Sequence, residues 1–352
     1  MGCERFARIS KQRMEAQEQP LVTIVTPIYN GEEYLRQCIE SVLAQTYENW
    51  DYVLVNNCST DRTLNIAQEY AAKDARIRVH SNERFAPIIE NHNIAVRQIS
   101  PQSKYCKVVF ADDLLFPQCL KEMVKIAEEH RSVGIIGAYA LNGEEVVWDG
   151  LPYPSTVVSG RELCRNTLLG GPYVFGTPTS LLIRSDLIRA RSSFYNESNI
   201  HADYEVCFDV LQNVDFGFVH QVLVYSRRRA GSNDTIARSL GSHGLGSLET
   251  LVNYGHIYLS DDEYKARLRK RTSMYYGQLA KNFLRLQGEG FWEYHRTKLA
   301  KLGMPLSRAR LTGAVLREIL ESLSRPLQAV DGVLHWWPRM FSRSHKTQRG
   351  SD

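Results

Sequence analysis

The feature that most constrains this chain is a succession of short, wholly apolar runs, each ending in a polar cluster and each followed by an amphipathic segment. LVTIVTP (21–27), DYVLVNN (51–57), RIRVH (76–80), KVVFA (107–111) and VGIIGAY (133–139) have strand length and strand composition. Between them, YLRQCIESVLAQ (34–45) places Leu35, Ile39, Val42 and Leu43 on one helical face. STD caps a second helix running through Tyr70, IIENHNIAVRQ forms a third, and Pro117 opens QCLKEMVKIAEEH. Strands that alternate with helices predict βαβ units and a mostly parallel central sheet flanked by helices, a Rossmann-like α/β fold. Ligands of such sheets bind at the carboxyl ends of the strands. TPIYN, NNCSTD and ADD all fall there.

The pattern changes after residue 150. Residues 150–180 are rich in Gly, Pro, Thr and Tyr and are expected to form long loops. PTSLLIR (178–184) and FGFVHQVLVYS (216–226) are read as strands and HADYEVCFDVLQ (201–212) as a helix. From about residue 240 the chain is expected to be mainly helical. The expected organisation is a polar leader over 1–19, a catalytic domain over 20–235 and a helical, basic C-terminal extension over 236–352.

Composition narrows the class. Of 352 residues 43% are hydrophobic and 23% charged, which fits a globular protein and not a disordered or collagen-like one. No apolar run reaches the length of a spanning helix. MGCERFARIS lacks the apolar core of a signal peptide and the hydroxyl residue of a myristoylation motif. Seven cysteines without a CxxC pair predict reduced thiols and a cytoplasmic location. The net charge of +4 is unevenly spread: residues 263–352 carry 18 Lys/Arg against 7 Asp/Glu. An acidic body with a basic tail suggests an anionic neighbour. No nucleic-acid recognition motif accompanies the tail, so nucleic acid is not expected as a partner.

Four constellations carry chemistry. In FADDLLFP (110–117), Asp112 and Asp113 are adjacent carboxylates whose repulsion a hard divalent cation shared with substrate phosphates would relieve; capping of the next turn is the alternative. In NNCSTDRT (56–63), asparagine amides can read a base edge, while Ser59 to Asp61 suit turn and cap chemistry. TPIYN (26–30) offers Tyr29 for stacking or for ordinary loop packing. Asp203 opens the helix of HADYE, where a cap is the commoner role of an acidic residue.

In this order and spacing, these segments, closed by GTPTSLLIRSDLI and LVYSRRRAGS, resemble glycosyltransferase family 2 over residues 20–235. That family has the GT-A fold and uses nucleotide-sugar donors. The resemblance implies that Pro27 and Tyr29 line the base pocket, that Asn57 faces the base edge, and that Asp112 approaches the ribose or sugar. It implies that Asp113 holds a divalent metal, manganese or magnesium, on the diphosphate and that Asp203 is the general base. Arg227 and Arg229 fall where the family often has a basic residue near the phosphates. Where many members carry Asp-Asp, this chain has Asn56-Asn57; Asn57 can still accept from a uracil N–H, so a UDP-sugar is the leading donor, with thymine or guanine open.

The expected function is therefore inverting transfer of a sugar to an acceptor hydroxyl, on a lipid-linked or growing glycan of a cell-surface polysaccharide. A sugar-phosphate nucleotidyltransferase would want a glycine-rich phosphate loop after the first strand, and TPIYNGEE has one glycine. A catalytically silent nucleotide-sugar-binding scaffold would tolerate loss of Asp113 or Asp203, and both are present. In the tail, ARLTGAVLREILESLSRPL (309–327) aligns Leu311, Val315, Ile319 and Leu323, and Trp336, Trp337 and Phe341 follow. Two readings are open: a helix packed on the body, or an interfacial helix holding the protein peripherally on the inner face of the cell membrane.

Overall fold

A computed structural model describes residues 19–227 and 233–323. Arg229 and the aromatic segment 336–341 lie outside the described residues. The chain forms two compact units, the first running through Ala237 and including Asn253–Tyr264, the second comprising Arg238–Val252 and the chain from Lys265 on.

The first unit is built on a ten-stranded mixed sheet. In chain order the first elements are β1 (Val22–Ile28), α1 (Leu35–Leu43), β2 (Trp50–Asn56), α2 (Thr63–Ala71), β3 (Ile77–Ser81), α3 (Ile88–Arg97) and β4 (Tyr105–Val108). They are followed by β5 (Leu114–Leu115), α4 (Cys119–Glu129), β6 (Val133–Asn142), β7 (Glu145–Val147), β8 (Val157–Val158) and α5 (Gly160–Leu169). The remainder of the sheet unit is β9 (Leu182–Arg184), α6 (Ser185–Arg189), α7 (Ala202–Val210) and β10 (Asp215–Ser226). The order across the sheet is β3-β2-β1-β4-β9-β6-β10-β5.

β1 pairs in parallel with β2 and with β4, and β2 with β3, so the chain winds outward from β1 and then returns to its other side. That reversal is the switch point at which open α/β sheets bind ligands. Every residue of β1 is buried, which explains its unbroken apolar run. Val22, Ile24 and Ile28 lie on one pleat face and join a core with Leu35, Ile39 and Val42 of α1, Ile66 of α2 and Leu120 and Met123 of α4. α3 packs on β1 and β2 and brings Ala95 and Val96 into the interior.

The sheet is less uniform than the sequence suggests. β9 lies antiparallel between β4 and β6, and β5, β7 and β8 are short antiparallel additions. The fourth strand stops at Val108, earlier than the apolar run. The Val109 N–H still donates to the Val25 carbonyl, but the Phe110 N–H turns to Thr179 Oγ1 at 3.1 Å. PTSLLIR divides into a 3₁₀ turn, Pro178–Ser180, and β9, because the turn brings Thr179 to that bond.

Beyond β10 the described chain is helical, with α8 (Asn233–Ser239), α9 (Ser242–Tyr258), α10 (Asp261–Leu284), α11 (Glu289–Lys301) and a last helix over 308–323. In the second unit Leu245, Leu248, Tyr275, Leu279, Phe291 and Leu299 form a separate core, with Leu311, Ala314 and Val315 of the last helix packed on it. The single apolar face expected over Leu311, Val315, Ile319 and Leu323 is therefore split. Its first half is consumed by packing, whereas Leu316, Leu320 and Leu323 are 57%, 66% and 67% exposed and Ile319 is 39% exposed. Among the described residues no helix is long and apolar enough to cross a membrane.

Candidate active site

The loops after β1 and β2 are bonded to each other. Asn30 has a left-handed backbone (φ +48°) and Gly31 follows where a Cβ would come within 2.9 Å of Ile28 Cγ2. The Asn30 N–H donates to Ser59 Oγ at 3.0 Å, Gly31 N–H to Thr63 Oγ1 at 2.8 Å and Glu32 N–H to Asp61 Oδ2 at 3.1 Å. In return Asn30 Oδ1 accepts from the Thr60 N–H at 2.8 Å and Glu32 Oε2 from the Arg62 N–H at 2.9 Å. Asp61 also accepts from the Thr63 N–H at 2.9 Å, at the start of α2. Ser59, Thr60 and Asp61 thus do structural work, fixing the two polar strand ends side by side.

That arrangement presents Tyr29. Its ring is 47% exposed and meets the 54% exposed ring of Phe85 edge-on, with centroids 4.9 Å apart. Both rings are large aromatics left exposed and in contact near the strand ends. Pro27 is buried beneath it, opposite Val55, and β1 continues one residue past it.

Asn57 is buried and fully engaged by the β3–α3 loop. Its Nδ2 donates to the Ala86 carbonyl at 2.8 Å, and its Oδ1 accepts from the Ala86 N–H and from Asn82 Nδ2, both at 2.9 Å. The reciprocal pair with one peptide unit fixes the orientation of the amide. Both lone pairs of the carbonyl oxygen are occupied, so the acceptor role expected toward a uracil N–H is already filled within the protein. One Nδ2 hydrogen is left uncommitted. Asn82, whose Nδ2 also reaches Asn91 Oδ1 at 2.9 Å, keeps a buried Oδ1 with no partner. A buried acceptor left unsatisfied in this way calls for an explanation, and a ligand group is one.

Asp113 lies just past the end of β4. It is buried; its Oδ1 accepts from the Arg227 N–H at 3.1 Å and its Oδ2 has no partner. Burial pushes its carboxyl up to about 7, with Asp112 adding to the rise. No group of three or more His, Cys, Asp or Glu that could cage a metal occurs among the described residues. An orphaned carboxylate oxygen beside a second aspartate does fit a hard divalent ion whose remaining ligands are substrate phosphates and water. Arg227 closes this end: its Nε donates to the Asp112 carbonyl at 2.8 Å, its guanidinium lies 4.5 Å from the Tyr34 ring centre and it also bonds Gln37.

Asp203 sits in the first turn of α7 with a half-buried side chain. Its Oδ1 accepts from the Tyr204 N–H at 2.9 Å, and desolvation raises its carboxyl to about 6. A carboxylate near that value is ionised at neutral pH yet basic enough to take a proton. Glu205, two residues on, is instead buried in the preceding turn, accepting from Asn196 and Asn199, the latter at 2.7 Å.

The residues joining these parts lie on α3, where the sequence pattern singled out nothing. Asn91 holds Asn82. Asn93 Nδ2 donates to Ser193, to the Tyr195 carbonyl and to Glu197 at 2.7–2.9 Å, and its Oδ1 accepts from the Tyr195 N–H. Between them His92 stacks on Phe110 at 5.2 Å and meets Tyr195 edge-on at 5.9 Å. The available signal is two asparagines and a histidine in consecutive positions of a short helix whose other residues, Glu90 and Arg97 apart, are apolar.

The switch point thus gathers two exposed aromatics and an orphaned aspartate oxygen at the strand ends of an α/β sheet, and Asp203 adds a raised carboxyl at the start of α7. The family model described as Glycosyl transferase family 2 matches residues 23–191, which form a domain of that family. EpsE of Bacillus subtilis is 31% identical over 157 residues, covering 43% of this chain; the chain spans only 56% of that relative. Residues 1–349 of S. aureus TarS, solved in complex with UDP, superpose with a TM-score of 0.59 at 17% identity, over 87% of this chain and 91% of that one. The mannosyltransferase PcManGT of Pyrobaculum calidifontis, solved with GDP-Man and Mn2+, gives 0.54 at 12% identity over 88% of each chain. The fold is accordingly GT-A-like, with a helical C-terminal region.

Proposed function

We propose that this protein is an inverting glycosyltransferase that moves a sugar from a nucleoside-diphosphate donor to an acceptor hydroxyl. The observation that carries the reading is that the segments leading to Asp113, a buried carboxyl with a free oxygen, and to Asp203, a half-buried carboxyl raised to about 6, are joined through His92, which stacks on Phe110 and meets Tyr195 edge-on. Tyr29 and Phe85 stack the base, and the amides of Asn57 and Asn82 address its edge. A uridine donor is favoured: Asn82 Oδ1 can accept from the imide N–H of uracil, and the TarS structure contains UDP. Asp113, with Asp112 beside it, holds a divalent ion, manganese or magnesium, which when bound offsets charge on the leaving diphosphate. Asp203 takes the acceptor's hydroxyl proton as that oxygen attacks the anomeric carbon, and the bond to the diphosphate breaks with its electron pair. One base and no enzyme nucleophile suffice for such a displacement.

The acceptor is taken to be a lipid-linked or growing glycan in cell-surface polysaccharide synthesis. The exposed Leu316, Leu320 and Leu323 and the basic sequence that follows them support peripheral attachment to an anionic cytoplasmic leaflet. The test of the donor reading is a thermal-shift screen of nucleotide-sugars with and without manganese, followed by release of nucleoside diphosphate from the donor that stabilises most. Binding with no turnover in any acceptor extract, in a protein whose Asp203→Asn variant behaves identically, would favour the silent scaffold.

A further inference from the structure

We propose that His92 reads a hydroxyl of the sugar being transferred, and so sets which nucleotide-sugar this chain accepts. The inference rests on the donor reading above and extends it to a residue for which no role has been given.

An inverting displacement fixes where the transferred sugar must be. Its anomeric carbon lies between the departing diphosphate, at Asp113, and the attacking oxygen, at Asp203. His92 touches the segments that lead to both. Its ring stacks on Phe110, three residues before Asp113, at 5.2 Å and 26°. Its other contact is the edge of Tyr195 at 5.9 Å. The Tyr195 phenol is raised well above its ordinary value, chiefly by burial and in part by the charge of Asp203, which places Asp203 within electrostatic reach.

The neighbours of His92 on α3 have their polar groups committed. Asn91 is spent on Asn82, and Asn93 on the 193–197 segment. His92 is held by ring contacts alone, and neither of its nitrogens meets a hydrogen-bond partner among the described residues. A histidine kept only for packing forgoes two polar groups that a phenylalanine would not carry. Burial also lowers its value to about 4, so the imidazole is neutral at working pH. A neutral imidazole offers one donor and one acceptor at fixed directions. That pair matches a sugar hydroxyl, which gives and takes one hydrogen bond, and not the anionic phosphates or the apolar face of a base. The stacked Phe110 fixes the ring plane, so the pair selects hydroxyl position as well as presence.

The test compares the intact protein with His92→Phe, which keeps the stacking and removes both nitrogens, and His92→Gln, which restores a donor and an acceptor. Each is titrated by calorimetry with manganese and UDP, GDP, UDP-glucose, UDP-galactose, UDP-N-acetylglucosamine and GDP-mannose. His92→Leu serves if the Phe variant does not fold. The expected result is a loss of about 5- to 150-fold in affinity for the preferred nucleotide-sugar in the Phe variant. Affinity for the matching nucleoside diphosphate alone should be unchanged, and the Gln variant should recover part of the loss. Monodeoxy analogues of that donor should then show one position at which wild type discriminates and the Phe variant does not. Equal loss for nucleotide and nucleotide-sugar would reduce His92 to a prop for the strand end and overturn the proposal, as would unchanged sugar affinity. If the unaltered protein binds none of the four nucleotide-sugars, the donor reading itself fails and the role of His92 with it.

Discussion

Replacing Asp203 by asparagine should impair transfer and stabilise the fold at the same time. The structure gives the size of both effects. Asn keeps the shape and the bond from the Tyr204 N–H, since an amide oxygen can accept it as well. It cannot take a proton, so transfer should fall by ~10²–10⁴. The carboxyl's folded value of about 6 stands above its ordinary 3.8 because burial disfavours the charge. The folded state therefore holds the proton more tightly than the unfolded one, and the group costs stability wherever it must be ionised. That cost is absent below about pH 4, grows between the two values and is complete above about 6. At about 1.4 kcal/mol per tenfold displacement it reaches ~3 kcal/mol at most, less whatever water screens at a half-buried side chain. Urea unfolding of wild type and Asp203→Asn at pH 4 and pH 8, with nucleotide release on the same samples, reads both quantities. The variant should gain stability at pH 8 and none at pH 4, and wild-type kcat/KM should rise with pH through about 6. Equal stability differences at both pH values would refute the desolvation argument, and near-normal turnover would refute the base.

Other consequences can be checked separately. Asp113→Asn should abolish manganese-dependent UDP binding in calorimetry, and in wild type that affinity should weaken as pH falls through about 7, because the ion needs the ionised carboxyl; metal-dependent affinity retained in the variant would remove Asp113 from the site. Asn57→Asp, although it restores the commoner residue of the family, should destabilise this protein by about 1–3 kcal/mol in urea unfolding, because it sets a carboxylate oxygen against the Ala86 carbonyl now bonded at 2.8 Å; a neutral outcome would mean the β3–α3 loop rearranges freely. Serine at Leu316, Leu320 and Leu323 together should abolish salt-sensitive flotation with anionic liposomes and leave UDP binding intact. This triple change is a cleaner test than a cut near residue 303, which would also remove Leu311, Ala314 and Val315 from the second core.

The sequence was most legible where a local rule applied. The apolar runs at 21–27, 51–57 and 133–139 became β1, β2 and β6 within a residue or two at each start, because strands buried on both faces show themselves as unbroken apolar runs. The polar strand ends were legible as a group for the same reason: polar residues stop a buried strand, and the switch point gathers the stops. What stayed hidden depends on partners distant in the chain. Nothing in PTSLLIR tells that β9 inserts antiparallel between β4 and β6, because an apolar strand carries no direction. Asn57 reads alike as a base-facing amide or a loop clamp; only the position of Ala86, 29 residues away, distinguishes them. The face of the last helix is legible only in its first half: it is apolar on more than one side, and the second core covers Leu311 and Val315 and leaves Ile319 and Leu323 exposed.

The three consecutive side chains of α3 bear on what this gene can tolerate. Asn91, His92 and Asn93 project about 100° apart, and together they tie three segments: Asn91 the loop after β3, His92 the turn before Asp113, and His92 with Asn93 the stretch leading to Asp203. A substitution at one of them leaves at least one of these junctions intact. Insertion or deletion of a single codon between Ile88 and Asn91 would instead turn all three by the same 100° and break every junction at once. The exposed hairpin turn at Gly143 and Glu144 has no such linkage. Length variation among natural variants of this chain should therefore collect in that hairpin and be absent from a helix of ten residues, where single substitutions survive and frame-preserving indels do not.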